Sequence, residues 1–419
     1  MTTSPSRERA FLLGGLLFVG VGVLSNEFVV ARLFSRDGHL ETSTRIEVLV
    51  FQALLILLGW ACIWYRKRPL LEIARSYPSF VACVFGLLVC GILWGTAEGI
   101  CYWLNHRRKS DLEAPRLQPF ALKVPDPALG FKLNPNKQYH KLVKRGGKVV
   151  YDVTYQIDEF SRRKTPVTNP AGREKFLIFL GCSFTFGEGV QENETIPYYA
   201  GELAKGYMPY NYGCPGYSPQ QLLARLEAGG MPKEIPQRKG TGIYTFIDHH
   251  IERAIGSMAV YDLWGQTLPY YYLDHGELRR DGNFTTGRPV ISYAYRRLGQ
   301  SQIVKYFGMN SPPRIAERHT ALTGAIIKRM ASQFQKEFPG SDFRVVFYPG
   351  SRHVGDIAPE LRQAGIEVLD YSVLFDRAKP EYHILGDQYP GSEHPSAYAN
   401  KVFAGALAKD LRISIASED

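Results

Sequence analysis

The chain has 419 residues, 45% of them hydrophobic, and its 50 Lys and Arg against 40 Asp and Glu leave a formal net charge of +10. That hydrophobic share excludes a disordered chain, and the length predicts at least two structural units. The basic excess does not point to nucleic acid: no Lys/Arg tract is interleaved with aromatics, and much of it flanks apolar runs near the start.

Those runs, at residues 10–34, 48–65 and 80–104, approach or exceed the roughly 20 residues a helix needs to cross a bilayer. The same quarter of the chain holds Trp60, Trp64, Trp94 and Trp103 and the cysteines Cys62, Cys83, Cys90 and Cys101. Residues 1–109 are therefore predicted to form a membrane domain of three transmembrane helices. Asn26, Glu27 and Glu98 are expected at an interface or between helices, because each costs on the order of 3 kcal/mol at mid-bilayer. A cleavable signal peptide is the rival reading of the first run, behind Arg7 and Arg9, but it lacks a clear small-x-small cleavage site and two more runs follow. Arg7 and Arg9, with Arg66, Lys67, Arg68 and Arg75 between the second and third runs, predict cytoplasmic loops. Three crossings then place the remainder on the extracytoplasmic side of a multi-pass protein of the cell (inner) membrane, against the pull of Arg107, Arg108 and Lys109.

Residues 110–172 read as a tether followed by a small β-rich lead-in. The tether, 110–123, is charged and dotted with proline. In the lead-in Asp126-Pro127 and Asn134-Pro135 punctuate the chain, Gly146-Gly147 makes a turn, and 149–157 alternates with the period of a half-buried strand.

From 173 to 419 compact apolar runs alternate with helical patterns. The runs, 175–180, 242–247, 343–348 and 366–369, suit strands buried on both faces, and the helices are expected at 196–204, 219–227, 314–338 and 396–411. This alternation predicts an α/β fold with a parallel sheet covered on both faces, its site at the carboxyl ends of the strands. An insertion at about 255–313 breaks the pattern. It is aromatic, with Trp264, Tyr270, Tyr271 and Tyr272 and a hairpin turn at Asp274-His275-Gly276, and it reads either as a lid or substrate-binding element or as a small core of its own.

The chemistry concentrates in three segments. Gly181-Cys182-Ser183-Phe184-Thr185-Phe186-Gly187 follows the first strand, where a serine leaves the sheet on a tight turn with its own N–H available to an oxyanion. Thr185 replaces the second glycine of a Gly-x-Ser-x-Gly elbow, so that motif is absent. Asn211-Tyr212-Gly213-Cys214-Pro215-Gly216-Tyr217-Ser218 lies after the next expected strand and before a helix. Ser392-Glu393-His394-Pro395-Ser396 precedes the last helix and offers an imidazole to a distant hydroxyl, which is a weak nucleophile near neutral pH without a base. Cys182 is a conceivable nucleophile, although the adjacent serine fits its surroundings better. Cys182 and Cys214 are too few for a disulfide framework and read as free thiols. The cluster of His249, His250 and Glu252 does not predict a metal, since adjacent histidines in a strand point to opposite faces and no further ligand group completes the spacing. No cofactor is expected.

These segments resemble, in order, the blocks of the SGNH/GDSL hydrolases, whose first block is usually Gly-Asp-Ser-x-Thr-x-Gly; here cysteine replaces the aspartate. The resemblance covers about 175–411. It implies a three-layer α/β/α, flavodoxin-like domain in which Ser183 is the nucleophile and His394 its base, with the N–H groups of Ser183 and Gly216 in the oxyanion hole and Gly213 as the alternative donor. Two departures stand out. The aspartate that usually lies three residues before the histidine is Gly391 here, which leaves Asp387 as the nearest upstream acid, with a Ser-His dyad oriented by a backbone carbonyl as the alternative. The third-block asparagine is also missing after the strand at 242–247, where Asp248-His249-His250 follows; His249 or His250 is the substitute donor, an ionised Asp248 being repulsive to an oxyanion. The implied activity is a membrane-anchored serine esterase acting on O-acyl groups of a glycan or lipid through an acyl-serine. The rivals are an O-acyltransferase modifying an exported polysaccharide and a non-catalytic module that binds a glycan or partner.

Overall fold

The computed structural model describes residues 5–24, 26, 29, 42–65, 78–107, 115–388 and 393–411. Glu27, Arg66, Lys67, Arg68, Arg75, Arg108, Lys109, the first residues of the expected tether and Gly391 lie outside them. The chain divides into two compact units, Met1–Ala97 and Glu98–Asp419.

The three apolar runs are helical, over Pro5–Leu24, Thr42–Tyr65 and Pro78–Arg107. The first two pack closely: a methyl on Gly15 would stand 2.7 Å from the Gly59 carbonyl. The expectation of three transmembrane helices is nevertheless overturned, because among the described residues no helix is long and apolar enough to cross a membrane. Each helix carries polar groups that shorten its apolar stretch: Arg7, Glu8 and Arg9 open the first, Arg45 and Glu47 the second, and Glu98 interrupts the third. Glu98 and the turns after it are also engaged elsewhere. Its carboxylate accepts from Ser301 Oγ at 2.5 Å and the Gln302 N–H at 2.6 Å, and Asn105 donates to the Gln302 carbonyl at 3.1 Å. With the crossings go the membrane embedding, the multi-pass inner-membrane placement and the extracytoplasmic side that rested on them.

In the second unit the lead-in supplies β1 (Arg116–Gln118), β2 (Lys123–Asp126), β3 (Gly130–Leu133), β4 (Lys137–Arg145) and β5 (Lys148–Ile157). The order β1-β4-β5 is an antiparallel sheet whose hairpin turns at Gly146-Gly147, both at positive φ, and β2 pairs with β3. The central sheet is built from β6 (Lys175–Leu180), β7 (Tyr207–Asn211), β8 (Gly240–Phe246), β11 (Asp342–Phe347) and β12 (Glu367–Asp370), in the order β12-β11-β8-β6-β7. All four pairings are parallel. That is the flavodoxin-like order, with its switch point between β6 and β8, where the connections leave in opposite directions and open a crevice at the strands' carboxyl ends.

The strands read as unbroken apolar runs because both faces are buried. Phe176, Ile178 and Leu180 of β6 point into one core with Tyr244, Phe246, Val345 and Phe347, while Leu177 and Phe179 point into another with Ile243 and Val346. Helices Pro219–Ala228, Glu317–Glu337 and Val354–Gln363 cover the first face, and Ile196–Leu203 and Ala397–Asp410 the second. The aromatic stretch after β8 holds the hairpin β9 (Pro269–Asp274) and β10 (Glu277–Asn283) and a core of its own around Val260, Tyr261, Leu268 and Phe284.

Candidate active site

Ser183 opens a four-residue helix, Ser183–Phe186, directly beyond β6 at the switch point. The turn is tight enough to dictate its glycines. A Cβ on Gly181 would lie 2.1 Å from Thr185 Oγ1, and one on Gly213 would lie 2.3 Å from the Phe186 nitrogen, so the second motif segment packs directly on the serine turn. Gly187 ends the helix at φ 82°, and its N–H and that of Glu188 both donate to the Ser183 carbonyl. Arg163, which no motif marks, fixes the exit from this turn. Its buried guanidinium donates to the carbonyls of Phe186 at 3.0 Å, Gly187 at 2.5 Å and Val190 at 2.8 Å.

His394 stands at the mouth of the same crevice, just before the last helix, whose first turn is capped by Ser396. Its Nδ1 is 2.6 Å from Asp387 Oδ2, and its backbone N–H reaches both carboxylate oxygens at 3.4 Å. Asp387 is 3% and His394 8% exposed, so this pair is dry and oriented. Asp387 comes from a loop that turns at Gly386 (φ 86°) and is clamped by Arg145 of β4, which donates to the Gly386 carbonyl at 2.8 Å and the Gln388 carbonyl at 2.9 Å. The edge of the Phe184 ring packs against the imidazole, with centroids 5.8 Å apart.

Ser183, Gly216, His249 and His394 line one cleft of about 410 Å³, together with Lys123, Phe184, Glu188, Glu252, Arg253 and Trp264. No hydrogen bond joins Ser183 to His394. The Nε2 atom, the one that would take a serine proton, instead lies 3.6 Å from Glu188 Oε2. Glu188 is a second carboxylate on the imidazole and was not legible in the sequence beyond its place between Gly187 and Gly189. Burial pushes its carboxyl up, but pairing with Lys141 and His394 outweighs this and holds it at about 2. Lys141 of β4 forms an ion pair with it inside the cleft wall.

The candidate oxyanion donors separate clearly. The Gly213 N–H is committed to Asn211 Oδ1 at 3.0 Å, whereas Gly216, at φ 83°, lines the cleft with its N–H unused. His249 faces the cleft with its side chain 57% exposed and Nδ1 3.7 Å from Glu252 Oε2. His250 does not: it is fully buried against Tyr244, whose hydroxyl lies 2.7 Å from its Nδ1, and burial keeps its pKa well below the usual histidine range. Asp248 turns away to accept from the Arg352 N–H at 3.1 Å. Cys182 and Cys214 are free and buried, and burial pushes the Cys214 thiol up to about 12, which keeps it protonated near neutral pH. Glu393 is outside the cleft lining. A second cavity of about 340 Å³ shares Phe184, Ile247, His249 and Glu252 with the cleft and extends to Arg352, His353 and Arg377.

No family model matches the chain, and no curated protein sequence does. Solved structures that align with the chain include a protein described as lipolytic, of the G-D-S-L family, from Desulfitobacterium hafniense DCB-2. It is 15% identical and aligns over 56% of this chain and 98% of its own at a TM-score of 0.31. The acetyl xylan esterase Est2A of the rumen bacterium Butyrivibrio proteoclasticus is 12% identical over 57% of this chain and 63% of its own, also at 0.31. A carbohydrate esterase family 2 enzyme with its carbohydrate-binding domain, from Corynascus thermopiles (Myceliophthora fergusii), is 12% identical over 67% of this chain and 79% of its own, again at 0.31.

Proposed function

We propose that the chain is a serine esterase in which Ser183 attacks the ester carbonyl, His394 takes the hydroxyl proton and returns it to the leaving alcohol, and Asp387 holds the imidazole. The observation that carries this reading is the buried Asp387–His394 pair at 2.6 Å, opening into the same cleft as a serine on the strand-end turn. A short bond from Nδ1 to a carboxylate fixes the ring so that Nε2 is the atom presented to the cleft, and it stabilises the imidazolium formed during attack. In this reading the N–H groups of Ser183 and Gly216 receive the oxyanion, with His249 of the same cleft as a third donor. Water then releases the acyl group, or an acceptor hydroxyl does so if the chain is a transferase. The substrate is an O-acyl ester of a glycan or lipid.

Labelling with a fluorophosphonate tests this directly: the native chain is expected to label and Ser183→Ala not to. A second reading, a glycan- or partner-binding module on the same fold, draws on the missing Ser183–His394 hydrogen bond and on the Glu188 carboxylate facing Nε2. Failure of the native chain to label would favour it.

A further inference from the structure

The cleft wall over Gly216 holds two donors that the ester chemistry does not use. A methyl group on Gly216 would stand 3.4 Å from Lys123 Nζ and 3.5 Å from Trp264 Nε1, so both nitrogens converge on the space above that glycine. We propose that this wall is an anionic subsite, in which Lys123 and the Trp264 indole N–H receive a carboxylate that the substrate carries beside its ester. The inference rests on the esterase reading and extends it to a substrate class: O-acylated acidic sugars or similar hydroxy acids.

Lys123 is placed but not neutralised. Its ammonium lies 4.7 Å from the centroid of the Phe131 ring, and that ring is itself held by Tyr217, whose ring centroid is 5.5 Å away and whose hydroxyl donates to the Phe131 carbonyl at 3.1 Å. Stacking on a ring positions a cation and leaves its hydrogen-bonding capacity open. Among the described residues no carboxylate pairs with Lys123. The acidic groups of the cleft are already committed, Glu188 to Lys141 and Glu252 to His249. Lys123 adds to the field that keeps Glu188 ionised without reaching it.

The Trp264 nitrogen supplies the second donor. It is buried and has no acceptor. An indole N–H can only donate, and a buried donor without a partner is a standing cost that a ligand oxygen would remove. Arg253 backs the ring with its guanidinium carbon 5.9 Å from the indole centroid; one of its nitrogens donates to the Tyr217 carbonyl at 2.8 Å, and it too has no carboxylate partner among the described residues. Two converging donors, the Lys123 ammonium and the Trp264 N–H, match the two oxygens of a carboxylate, and the three terminal oxygens of a phosphate would leave acceptors unmet.

The test compares kcat/KM for mono-O-acetyl methyl glucuronoside, the matching mono-O-acetyl methyl glucoside and a matching acetylated sugar phosphate, with p-nitrophenyl acetate as a substrate free of any subsite. At low ionic strength the native chain is expected to prefer the glucuronoside over the glucoside by about tenfold, the order of one partly solvated charge pair. That ratio is expected to fall with added salt, to approach one in Lys123→Met, and to shrink in Trp264→Phe, which keeps an aromatic ring there and removes the donor. A ratio near one in the native chain, or one that Lys123→Met leaves unchanged, overturns the subsite. Preference for the phosphate over the glucuronoside overturns its assignment to a carboxylate. An equal loss on all three sugars in Lys123→Met also overturns it, by placing Lys123 at the oxyanion instead. Hydrolysis of p-nitrophenyl acetate that survives Ser183→Ala, or its absence in the native chain, defeats the esterase reading itself, and the subsite with it.

Discussion

Ser183→Ala and His394→Ala are each expected to lower kcat for an activated ester by at least about 10³-fold, because nucleophile and base act as a unit and only binding and the oxyanion donors remain. Asp387→Asn should cost about 10⁴-fold in kcat with little change in KM, since it would hold the wrong tautomer of the ring without emptying the cleft. A steady-state series on p-nitrophenyl acetate checks all three, and equal activity of Asp387→Asn and the native chain would return the site to a two-residue dyad. Glu188 makes a prediction in pH. Its folded pKa of about 2 lies below the ordinary value of 4.5, so its ion pair contributes stability that is present above pH 4.5 and lost as pH falls toward 2. The loss is on the order of 3 kcal/mol at most, and urea midpoints measured across that window should fall less steeply in Glu188→Gln than in the native chain, the remaining slope coming from carboxylates such as Asp126 and Glu252 that are also held low. The variant itself should be less stable at neutral pH by about 3 kcal/mol, because Lys141 would be left buried without its partner.

Among the elements, Arg163 and Arg145 do for two loops what strand pairing does for the sheet. Arg163→Met would leave the Val190 carbonyl without its donor, while the carbonyls of Phe186 and Gly187 would keep only the Asn211 Nδ2 and Val190 N–H, and a urea titration should show about 1–3 kcal/mol lost. Arg145→Ala should lower kcat more than it raises KM, as the loop behind Asp387 loosens while the cleft keeps its walls. Neither arginine was legible in the sequence, because each acts on a partner distant along the chain and nothing local marks it. β6, by contrast, runs over the residues expected of it: a strand buried on both faces is a continuous apolar word bounded by Lys175 and Gly181. The last helix, expected at 396–411, runs Ala397–Asp410, with Ser396 as the cap that the structure adds. Asp387 was named only as the nearest upstream acid, since the length of the loop that brings it back to the imidazole is not written in any period. The apolar runs at the start were read by their length, and in the third that length counted across Glu98, whose carboxylate shortens what a bilayer could hold. Glu98 instead caps Ser301 and Gln302.

At the scale of the molecule the unit Glu98–Asp419 contains every residue of the candidate site. A chain beginning at Glu98 is expected to unfold in one transition and to hydrolyse p-nitrophenyl acetate with the native kcat/KM; a large loss of activity would show that the first 97 residues contribute to the site. The flavodoxin-like strand order carries the switch point, and with it the crevice, without help from the lead-in. The lead-in is nonetheless where Lys123, Lys141, Arg145 and Arg163 reside, and three of these reach into loops around the candidate site. Cloning from Arg173, where the last of the expected domains begins, would thus retain the proposed nucleophile, base and acid while discarding the splints that keep them in register. Such a truncation would look whole in an alignment and behave as a folded but idle sheet.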